Sequence, residues 1–475
     1  MPVNYIATLI TKGPENTPGW SYIKRYGPPL LITTLLKMYF NGSSNTWERD
    51  LHGKVFIVTG GTSGIGAALV KEMSTRGAQI VLLTSQLSAD NSGAAWVTDY
   101  VQDVRDSTRN PLVFVEDCDL SSLYSVRKFA TKWLDNRTAR RLDGVVCLAS
   151  ERVPSGKSRE VSVDGIERQM AVNYLGHFHL LTLLQPALKA QPPDRDVRII
   201  LTTCLSQSMG TVDLDDLLWQ ERRYPSNRPW KVYGTSKLML HMFAKELQRR
   251  LVKAGRKDLE ACNVRVNVVN PGLTRTPSTR RAISMGSVLG LLIYLVLYPI
   301  FWLFLKSGES GMQSFLYSLC CPDLMDSQGG KYIKECSVVG AKLRKELQDE
   351  ELQKKVFDKT ADQVAELERS SALERNRKKG KKGKKETKLE KKVQKKGKEK
   401  GEKSLEDVKR GLFRSAFSEP EDVYPELRKR PLPKAQEEAR TRQLNRLEQK
   451  YLDSRRKQKD ESLELKPDTK ASTEE

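Results

Sequence analysis

Short apolar runs alternate with longer stretches of helical character between Lys54 and Glu335. Unbroken Val, Ile and Leu runs are typical of strands buried on both faces, as in parallel sheets covered by helices. The pattern therefore predicts an α/β fold with a doubly wound parallel sheet. The candidate strands are Lys54–Thr59, Ile80–Leu83, Pro111–Asp119, Leu142–Ser150, Val197–Thr203, Val264–Gly272 and Gly330–Glu335. Helices are expected up to Arg76, up to Trp133, and over Ile166–Leu184, about Tyr233–Val252 and Gly308–Cys320.

A glycine-rich segment, TGGTSGIG (Thr59–Gly66), lies between the first strand and the first helix. Glycines in such a turn allow a pyrophosphate to approach the helix N-terminus, where free N–H groups favour negative charge. The spacing of the glycines is G-x-x-x-G-x-G. The structural alternative is a plain corner between strand and helix, which would need only one of these glycines. In this context we interpret the segment as a Rossmann-type nucleotide site. Its predicted contacts are Gly60, Thr62, Ser63, Gly64, Ile65 and Gly66.

The sequence YGTSK places Tyr233 and Lys237 four residues apart, on one face of a predicted helix. A neighbouring ammonium favours the phenolate and is expected to lower the tyrosine pKa. Such a tyrosine can exchange a proton with a carbinol or carbonyl oxygen while a hydride moves to or from a cofactor. Tyr–Lys pairs at this spacing also occur by chance, so the pair indicates catalysis only in combination with the other motifs.

Together these motifs resemble the short-chain dehydrogenase/reductase family, over about Leu51–Val338. Further matching segments are CDLSSLYSVRKFA (Cys118–Ala130), VNYLGHFHL (Val172–Leu180) and NPGLTRT (Asn270–Thr276). The chain is most similar to the membrane-associated, retinol-dehydrogenase-like branch, with a counterpart of KSGESGMQSFLYSL before a GKY strand, and it also resembles uncharacterised fungal oxidoreductases. The resemblance implies hydride transfer between a nicotinamide and a carbinol or carbonyl carbon.

The resemblance also implies roles for single residues. Tyr233 exchanges the proton, and Lys237 lowers its pKa and holds the nicotinamide ribose. Asn173 supports a proton-relay water in a kinked helix, although a buried helix asparagine can be purely structural. Asp119 reaches the adenine beside Leu120, unless it is only a turn carboxylate. The predicted wall of the nicotinamide site consists of Pro271, Gly272 and Thr276.

Two segments depart from the family pattern. CLAS (Cys147–Ser150) stands where an N-A-G turn is usual, and ILTTCLSQS stands where the catalytic serine is usual. Thr203, Cys204 and Ser206 remain alternative candidates for that serine, and a thiol is the weakest hydrogen-bond donor among them. The altered segment motivates an alternative function, a nucleotide-binding membrane scaffold with little or no turnover.

The end of the second strand bears on the choice of cofactor. A carboxylate there bonds the ribose 2′-hydroxyl and selects NAD. The segment Leu83–Gln86 is neutral, and Thr84 and Ser85 offer hydroxyls to a 2′-phosphate, with Arg76 as a candidate helper. NADP is therefore favoured over NAD.

GSVLGLLIYLVLYPIFWLFLK (Gly286–Lys306) is about as long as a membrane-crossing helix. A single crossing would separate the helix Gly308–Cys320 and the last strand from the sheet, and Pro299 breaks a helix. We therefore predict that residues 286–305 form a bent, monotopic membrane-embedded element; a substrate-lining lid and a true span are the alternatives. Pro28–Phe40, within the lead-in 1–50, is predicted to be an interfacial helix or to pack on the domain.

The chain carries a formal net charge of +22, concentrated beyond the predicted domain 51–338. Residues 340–370 are predicted to be helical, and the low-complexity block Arg377–Lys403 to be disordered within a largely disordered tail, 339–475. The block is a solvated tail, a contact for anionic lipid headgroups, or a non-specific nucleic-acid contact; no specific nucleic acid is predicted.

Seven scattered cysteines, without a C-x-x-C pair, favour a reducing, cytosol-facing environment and argue against zinc. The four histidines form no ligand pattern, so no metal site is predicted. The expected partners are a hydrophobic substrate, such as a sterol, a retinoid-like molecule or a fatty-acyl derivative, and a membrane or lipid-droplet surface. The expected location is the cytosolic face of the endoplasmic reticulum or a lipid droplet. A homodimer is one option for the oligomeric state.

Overall fold

The computed structural model describes residues 20–87, 91–135, 140–254, 262–340 and 343–399. The chain divides into two units, residues 1–380 and residues 381–475. Of the second unit, only the helical backbone of residues 381–399 is described.

The helices and strands follow one another in the alternating order that the sequence predicted. They are α1 (Trp20–Asn41), β1 (Val55–Thr59), α2 (Gly64–Thr75), β2 (Gln79–Thr84), α3 (Asn91–Thr108), β3 (Val113–Asp117), α4 (Leu123–Leu134), β4 (Gly144–Cys147), α5 (Arg168–Met170), α6 (Gly176–Lys189), β5 (Val197–Thr202), α7 (Trp230–Lys253), β6 (Val264–Asn270), α8 (Pro277–Ile283), α9 (Val288–Val296), α10 (Tyr298–Phe304), α11 (Gly308–Cys320), α12 (Asp323–Asp326), β7 (Tyr332–Lys334), β8 (Ser337–Val338) and α13 (Glu350–Glu399). A π-helical turn, Ala171–Leu175, joins α5 to α6.

The strands form one eight-stranded sheet in the order β3-β2-β1-β4-β5-β6-β7-β8. Strands β1 to β7 are parallel, and β8 adds an antiparallel edge that the sequence did not predict. This confirms the doubly wound parallel sheet. The chain order reverses between β1 and β4, so the connections leave in opposite directions there and open a crevice at the carboxyl ends of the strands.

Helices cover both faces of the sheet, and alternate residues of β1 point into the two resulting cores. Val55 and Ile57 pack with α4, α6 and α7 on one face. Phe56 and Val58 pack with α2, α3 and α11 on the other. Strand β1 therefore has no polar face, which explains why its sequence is almost continuously apolar.

The C-terminal helix α13 extends the folded unit beyond Val338, where the sequence placed the end of the domain. Phe357 contacts Phe178, with ring centroids 5.0 Å apart, and Phe243, with ring centroids 5.7 Å apart. The Thr360 hydroxyl lies 2.9 Å from the Tyr174 hydroxyl. Apolar residues at helical spacing along α13 thus cover the outer faces of α6 and α7.

The same helix is longer than the sequence indicated. It continues to Glu399 and includes most of the block Arg377–Lys403, which was expected to be disordered. Lysine and glutamate have high intrinsic helix propensity, so this block can be helical without a core to bury. The disorder predicted beyond it falls on residues 400–475, which lie outside the described residues.

The apolar segment is interrupted next to Pro299, where the sequence predicted a helix break. Helices α9 and α10 are separated at Leu297, and Pro299 lies in the first turn of α10. Helix α1 packs against α10 through the rings of Phe40 and Phe304, whose centroids are 4.8 Å apart. The Lys37 ammonium donates to the Trp302 carbonyl oxygen over 2.6 Å.

Large apolar side chains of α1, α9 and α10 remain exposed. Leu30 is 69% exposed, Leu289 is 69% exposed and Val296 is 79% exposed. Within the described ranges, no single helix is long and apolar enough to cross a membrane. Helices α8 and α9 together have the length and apolar composition of a membrane span, but their axes are bent by 109°.

We predict that Phe357→Ala lowers the free energy of unfolding by about 3–5 kcal/mol, because it leaves a cavity between α13, α6 and α7. Urea denaturation measures the change. Leu373→Ala is the matched control on the same helix, since Leu373 is 71% exposed, and it should change the unfolding free energy by less than about 0.5 kcal/mol. Equal effects of the two substitutions would mean that α13 does not belong to the folded unit.

Candidate active site

The glycine turn between β1 and α2 approaches the chain after β4 too closely for any side chain. Gly60 has a φ of +67°, and a Cβ atom there would lie 2.6 Å from the backbone of Ala149. A Cβ atom on Gly66 would lie 2.1 Å from the Gly60 carbonyl oxygen. Ser63 precedes α2 without capping it through its side chain, so the first N–H groups of the helix face the crevice. This is a cradle for a phosphate.

The crevice is a cleft of about 1040 Å³ at the carboxyl ends of the strands. It brings together nearly all the residues that the sequence singled out. Those on its lining are Gly60, Thr62, Ser63, Gly64, Ile65, Gly66, Thr84, Asp119, Leu120, Thr203, Cys204, Ser206, Tyr233, Lys237, Pro271, Gly272 and Thr276. Asn173 is buried behind this lining.

Tyr233 and Lys237 are on the first turns of α7 and face the cleft. The Tyr233 hydroxyl lies 3.2 Å from the Ser150 hydroxyl. Desolvation, and secondarily the thiol of Cys204, raise the pKa of Tyr233 above its ordinary value. This is opposite to the direction that the sequence predicted, because burial penalises the phenolate more than any nearby cation favours it.

The Lys237 ammonium lies over the face of the Tyr233 ring. Its Nζ atom is 5.7 Å from the Tyr233 ring centroid and donates to the Thr202 carbonyl oxygen over 3.2 Å. The side chain is 1% exposed, and burial lowers the pKa of Lys237 to about 8. Lys237 is therefore close enough to the ordinary physiological range to change its charge there.

Asn173 lies in the π-helical turn between α5 and α6, as the predicted kink required. Its side-chain oxygen accepts from the Glu151 backbone N–H over 2.7 Å, and its amide donates to the Glu151 carbonyl oxygen over 2.9 Å. The amide also donates to the Ser236 hydroxyl over 3.2 Å. Asn173 thus holds the segment after β4 against α7.

The three candidates for the usual serine point in different directions. The Thr203 hydroxyl donates to the Gln207 side chain over 2.9 Å, in a buried network away from Tyr233. Cys204 lines the cleft close enough to Tyr233 for its thiol to raise the pKa of the phenol. Ser206 lies in the 3₁₀ turn Leu205–Met209, where its carbonyl oxygen faces Gly234. Thr203 and Cys204 both follow the last residue of β5, Thr202, and both line the cleft.

The nucleotide end of the cleft agrees in part with the sequence. Thr84 and Ser85 line the cleft at the end of β2. Asp119 accepts from the Ser121 backbone N–H and hydroxyl, both over 2.9 Å. Arg76 does not reach the cleft, because it follows the far end of α2 and pairs with Glu72.

Sequence reasoning missed two residues of the site. Ser150 was quoted only as part of an unusual turn, although a serine where the family has glycine is itself a signal. His177 had no sequence signal: its ring lies 3.0 Å from the Thr59 hydroxyl and 3.2 Å from the Asn173 carbonyl oxygen. Burial lowers the pKa of His177 to about 4, so this imidazole is neutral near pH 7.

Comparison with known proteins agrees with this geometry. The family model described as short chain dehydrogenase matches residues 54–211. An uncharacterised oxidoreductase of Saccharomyces cerevisiae is 46% identical over 398 residues, which are 80% of this chain and 96% of that protein. The chain belongs to the short-chain dehydrogenase/reductase family.

Other relatives place the chain near the retinol-dehydrogenase-like members of this family. Human retinol dehydrogenase 13 is 34% identical, over 69% of this chain and 89% of that protein. The polyprenol dehydrogenase of Mus musculus is 29% identical, over 64% of this chain and 82% of that protein. The family consists of oxidoreductases that bind nicotinamide cofactors, and the glycine cradle fits such a dinucleotide.

Proposed function

We propose that this protein is an NADP(H)-dependent oxidoreductase that transfers a hydride between the nicotinamide and a hydrophobic alcohol, ketone or aldehyde. The observation that carries the proposal is the position of the Tyr233 hydroxyl, which faces the same cleft as the glycine cradle. The bound cofactor supplies or accepts the hydride. Tyr233 gives its proton to the carbonyl oxygen during reduction, or takes it from the carbinol during oxidation.

The other site residues support this assignment. The glycine cradle holds the pyrophosphate, and Lys237 holds the nicotinamide ribose. Because Lys237 is buried one helical turn from Tyr233, its positive charge favours the phenolate form when the proton leaves. Pro271, Gly272 and Thr276 wall the nicotinamide, and Asp119 lies at the adenine end.

The charge of the cleft favours NADP over NAD. Among the described residues on its lining, five cations (Arg152, Arg168, Lys237, Arg280 and Arg281) stand against two carboxylates (Asp119 and Glu151). The end of β2 carries Thr84 and Ser85 and not the carboxylate that would repel a 2′-phosphate.

The apolar segment supports a hydrophobic substrate. Val288, Leu291 and Leu305 line the cleft, and Val288 and Leu291 are at the same time exposed, like most apolar residues of α9 and α10. One wall of the cleft therefore separates the reacting groups from an apolar outer surface. The names of the relatives, retinol and polyprenol dehydrogenase, agree with a lipid-like alcohol or carbonyl; sterols and fatty-acyl derivatives belong to the same class.

The same surface supports attachment to one leaflet. Helix α1 packs on α10 and continues the exposed apolar face, so the two segments would enter the bilayer interface together. We propose the cytosolic face of the endoplasmic reticulum or a lipid droplet as the location. The homodimer stays a prediction.

We predict that Tyr233→Phe lowers the rate of NADPH oxidation at least about a hundredfold, because it removes the proton donor. Retinal, farnesal and a 3-ketosteroid serve as probe substrates, and NADPH fluorescence should report unchanged cofactor binding. Tyr124→Phe is the matched control, since Tyr124 is exposed on α4. Wild-type biological function in the Tyr233→Phe protein would favour the scaffold alternative.

We predict that Thr84→Asp weakens NADPH binding at least about tenfold, because about 1.4 kcal/mol of added repulsion at the 2′-phosphate equals a factor of ten. Binding of NADH should stay the same or improve. Fluorescence titration of both cofactors measures the shift, and Thr98→Asp, on the exposed face of α3, controls for the added charge. Equal NADPH affinity in both variants would exclude Thr84 from the 2′-phosphate site.

We predict that the triple variant Leu289→Ser, Leu292→Ser, Val296→Ser loses at least about tenfold in vesicle affinity, since each buried side chain of this size contributes about 1.5–3 kcal/mol. Flotation with phosphatidylcholine vesicles containing phosphatidylserine measures binding.

The control for this experiment replaces three apolar side chains of other surfaces by serine, namely Leu112, Leu134 and Val163, which are also exposed. It should float like the wild type. If both triple variants float equally well, the apolar segment is not the membrane contact.

A further inference from the structure

Carbonyl reduction by a single tyrosine leaves the second lone pair of the reacting oxygen without a donor. A second, preorganised donor at a developing oxyanion contributes substantially to rate. After β5, where the family pattern locates this donor, the residue that faces Tyr233 is Cys204, and a thiol is a weak donor. Thr203 is engaged by Gln207. Ser206 lines the cleft from the 3₁₀ turn Leu205–Met209, but the hydroxyl that hydrogen-bonds the Tyr233 hydroxyl comes from elsewhere in the fold.

Ser150 offers that hydroxyl from the neighbouring strand. It follows β4, lines the cleft, and its Oγ atom is 3.2 Å from the Tyr233 hydroxyl. Strand β4 lies between β1, which leads into the glycine cradle, and β5, which leads to Cys204. A hydroxyl at the end of β4 thus lies between the nucleotide end of the cleft and the tyrosine.

A closed ring of polar contacts fixes the position of Ser150. The next residue, Glu151, is held at both its backbone N–H and its carbonyl oxygen by the Asn173 side chain. Asn173 donates to the Ser236 hydroxyl over 3.2 Å, and Ser236 donates to the Tyr233 carbonyl oxygen over 2.8 Å. The hydrogen bond between the Tyr233 and Ser150 hydroxyls closes the ring. It sets the distance between the two hydroxyls without help from the position after β5.

We propose that Ser150 is a catalytic residue: its hydroxyl contacts the reacting oxygen of the substrate and supplies the donor that Cys204 supplies poorly. Asn173 is the positioning residue that holds it. This inference rests on the proposed function and deepens it, because it explains how the altered segment after β5 is compatible with turnover.

The step balances without a further reactant. In the reducing direction the carbonyl carbon gains a hydride from NADPH, the carbonyl π bond breaks, and the Tyr233 proton passes to the oxygen. NADPH is oxidised and the carbonyl is reduced to a carbinol. Ser150 keeps its proton throughout and only donates a hydrogen bond, which strengthens as negative charge develops on the oxygen.

Ser150→Ala is the first test. We expect kcat for reduction of retinal, farnesal or a 3-ketosteroid by NADPH to fall about a hundredfold, with NADPH affinity and melting temperature close to wild type. The double variant Ser150→Ala, Cys204→Ser should recover at least about tenfold of that loss, because it places a hydroxyl on the other side of Tyr233. Ser107→Ala, at the end of α3, is the matched control and should leave kcat unchanged.

A second measurement needs no turnover. In protein labelled with 3-fluorotyrosine and saturated with NADPH, the ¹⁹F resonance lost in Tyr233→Phe identifies Tyr233. Ser150→Ala should shift this resonance, and Asn173→Ala should shift or broaden it, because both release the ring of contacts. Ser107→Ala should leave it in place.

The outcomes separate the two proposals. If wild-type protein turns over a probe and Ser150→Ala matches it, the role of Ser150 is overturned while the proposed function stands. If wild-type protein turns over none of the probes, the proposed reaction is contradicted for these substrates. The ¹⁹F spectrum then tests the contact between Ser150 and Tyr233 by itself. An unmoved Tyr233 resonance in Ser150→Ala overturns the inference in either case.

Discussion

The site depends on the close contact between the end of β1 and the segment that follows β4. The Thr59 hydroxyl accepts from the backbone N–H groups of Leu148 and Ala149, over 3.1 and 3.2 Å, and Gly60 passes against the same backbone. His177 contacts Thr59 from α6. This contact ties the nucleotide cradle to Ser150, the residue that meets the tyrosine. The glycine turn and the segment that carries Ser150 are therefore parts of one packed unit.

Burial then determines the electrostatics of that unit. Tyr233, Lys237 and His177 are all less ready to ionise than in water, because desolvation dominates the pKa of each. The neutral imidazole of His177 adds no positive charge behind the cleft, and Lys237 is held at a pKa of about 8. The proton transfer that we propose for Tyr233 would therefore start from a neutral, desolvated phenol.

Helix α13 and the helices α1, α9 and α10 differ in how their apolar side chains are covered. Helix α13 places aromatic side chains such as Phe357 against α6 and α7 and thereby closes the core on that side. Helices α1, α9 and α10 leave their apolar side chains exposed. Val288 and Leu291 of α9 line the cleft and are also exposed, so this short helix both bounds the site and contributes apolar side chains to the surface.

Local chemistry allowed much of this to be predicted from the sequence. The alternation of strands and helices, the glycine cradle, the Tyr233–Lys237 pair and the bend near Pro299 each depend on residues close together in the chain. The direction of Cys204, the contact between Ser150 and Tyr233, and the packing of Phe357 depend on strand register and on helices far apart in sequence. The raised pKa of Tyr233 depends on burial by several elements at once. The sequence by itself determined the sheet and the reactive pair, because those follow from periodicity and spacing. Only the tertiary structure decided which hydroxyl meets the tyrosine, since side-chain direction is settled when the strands pair and the helices pack.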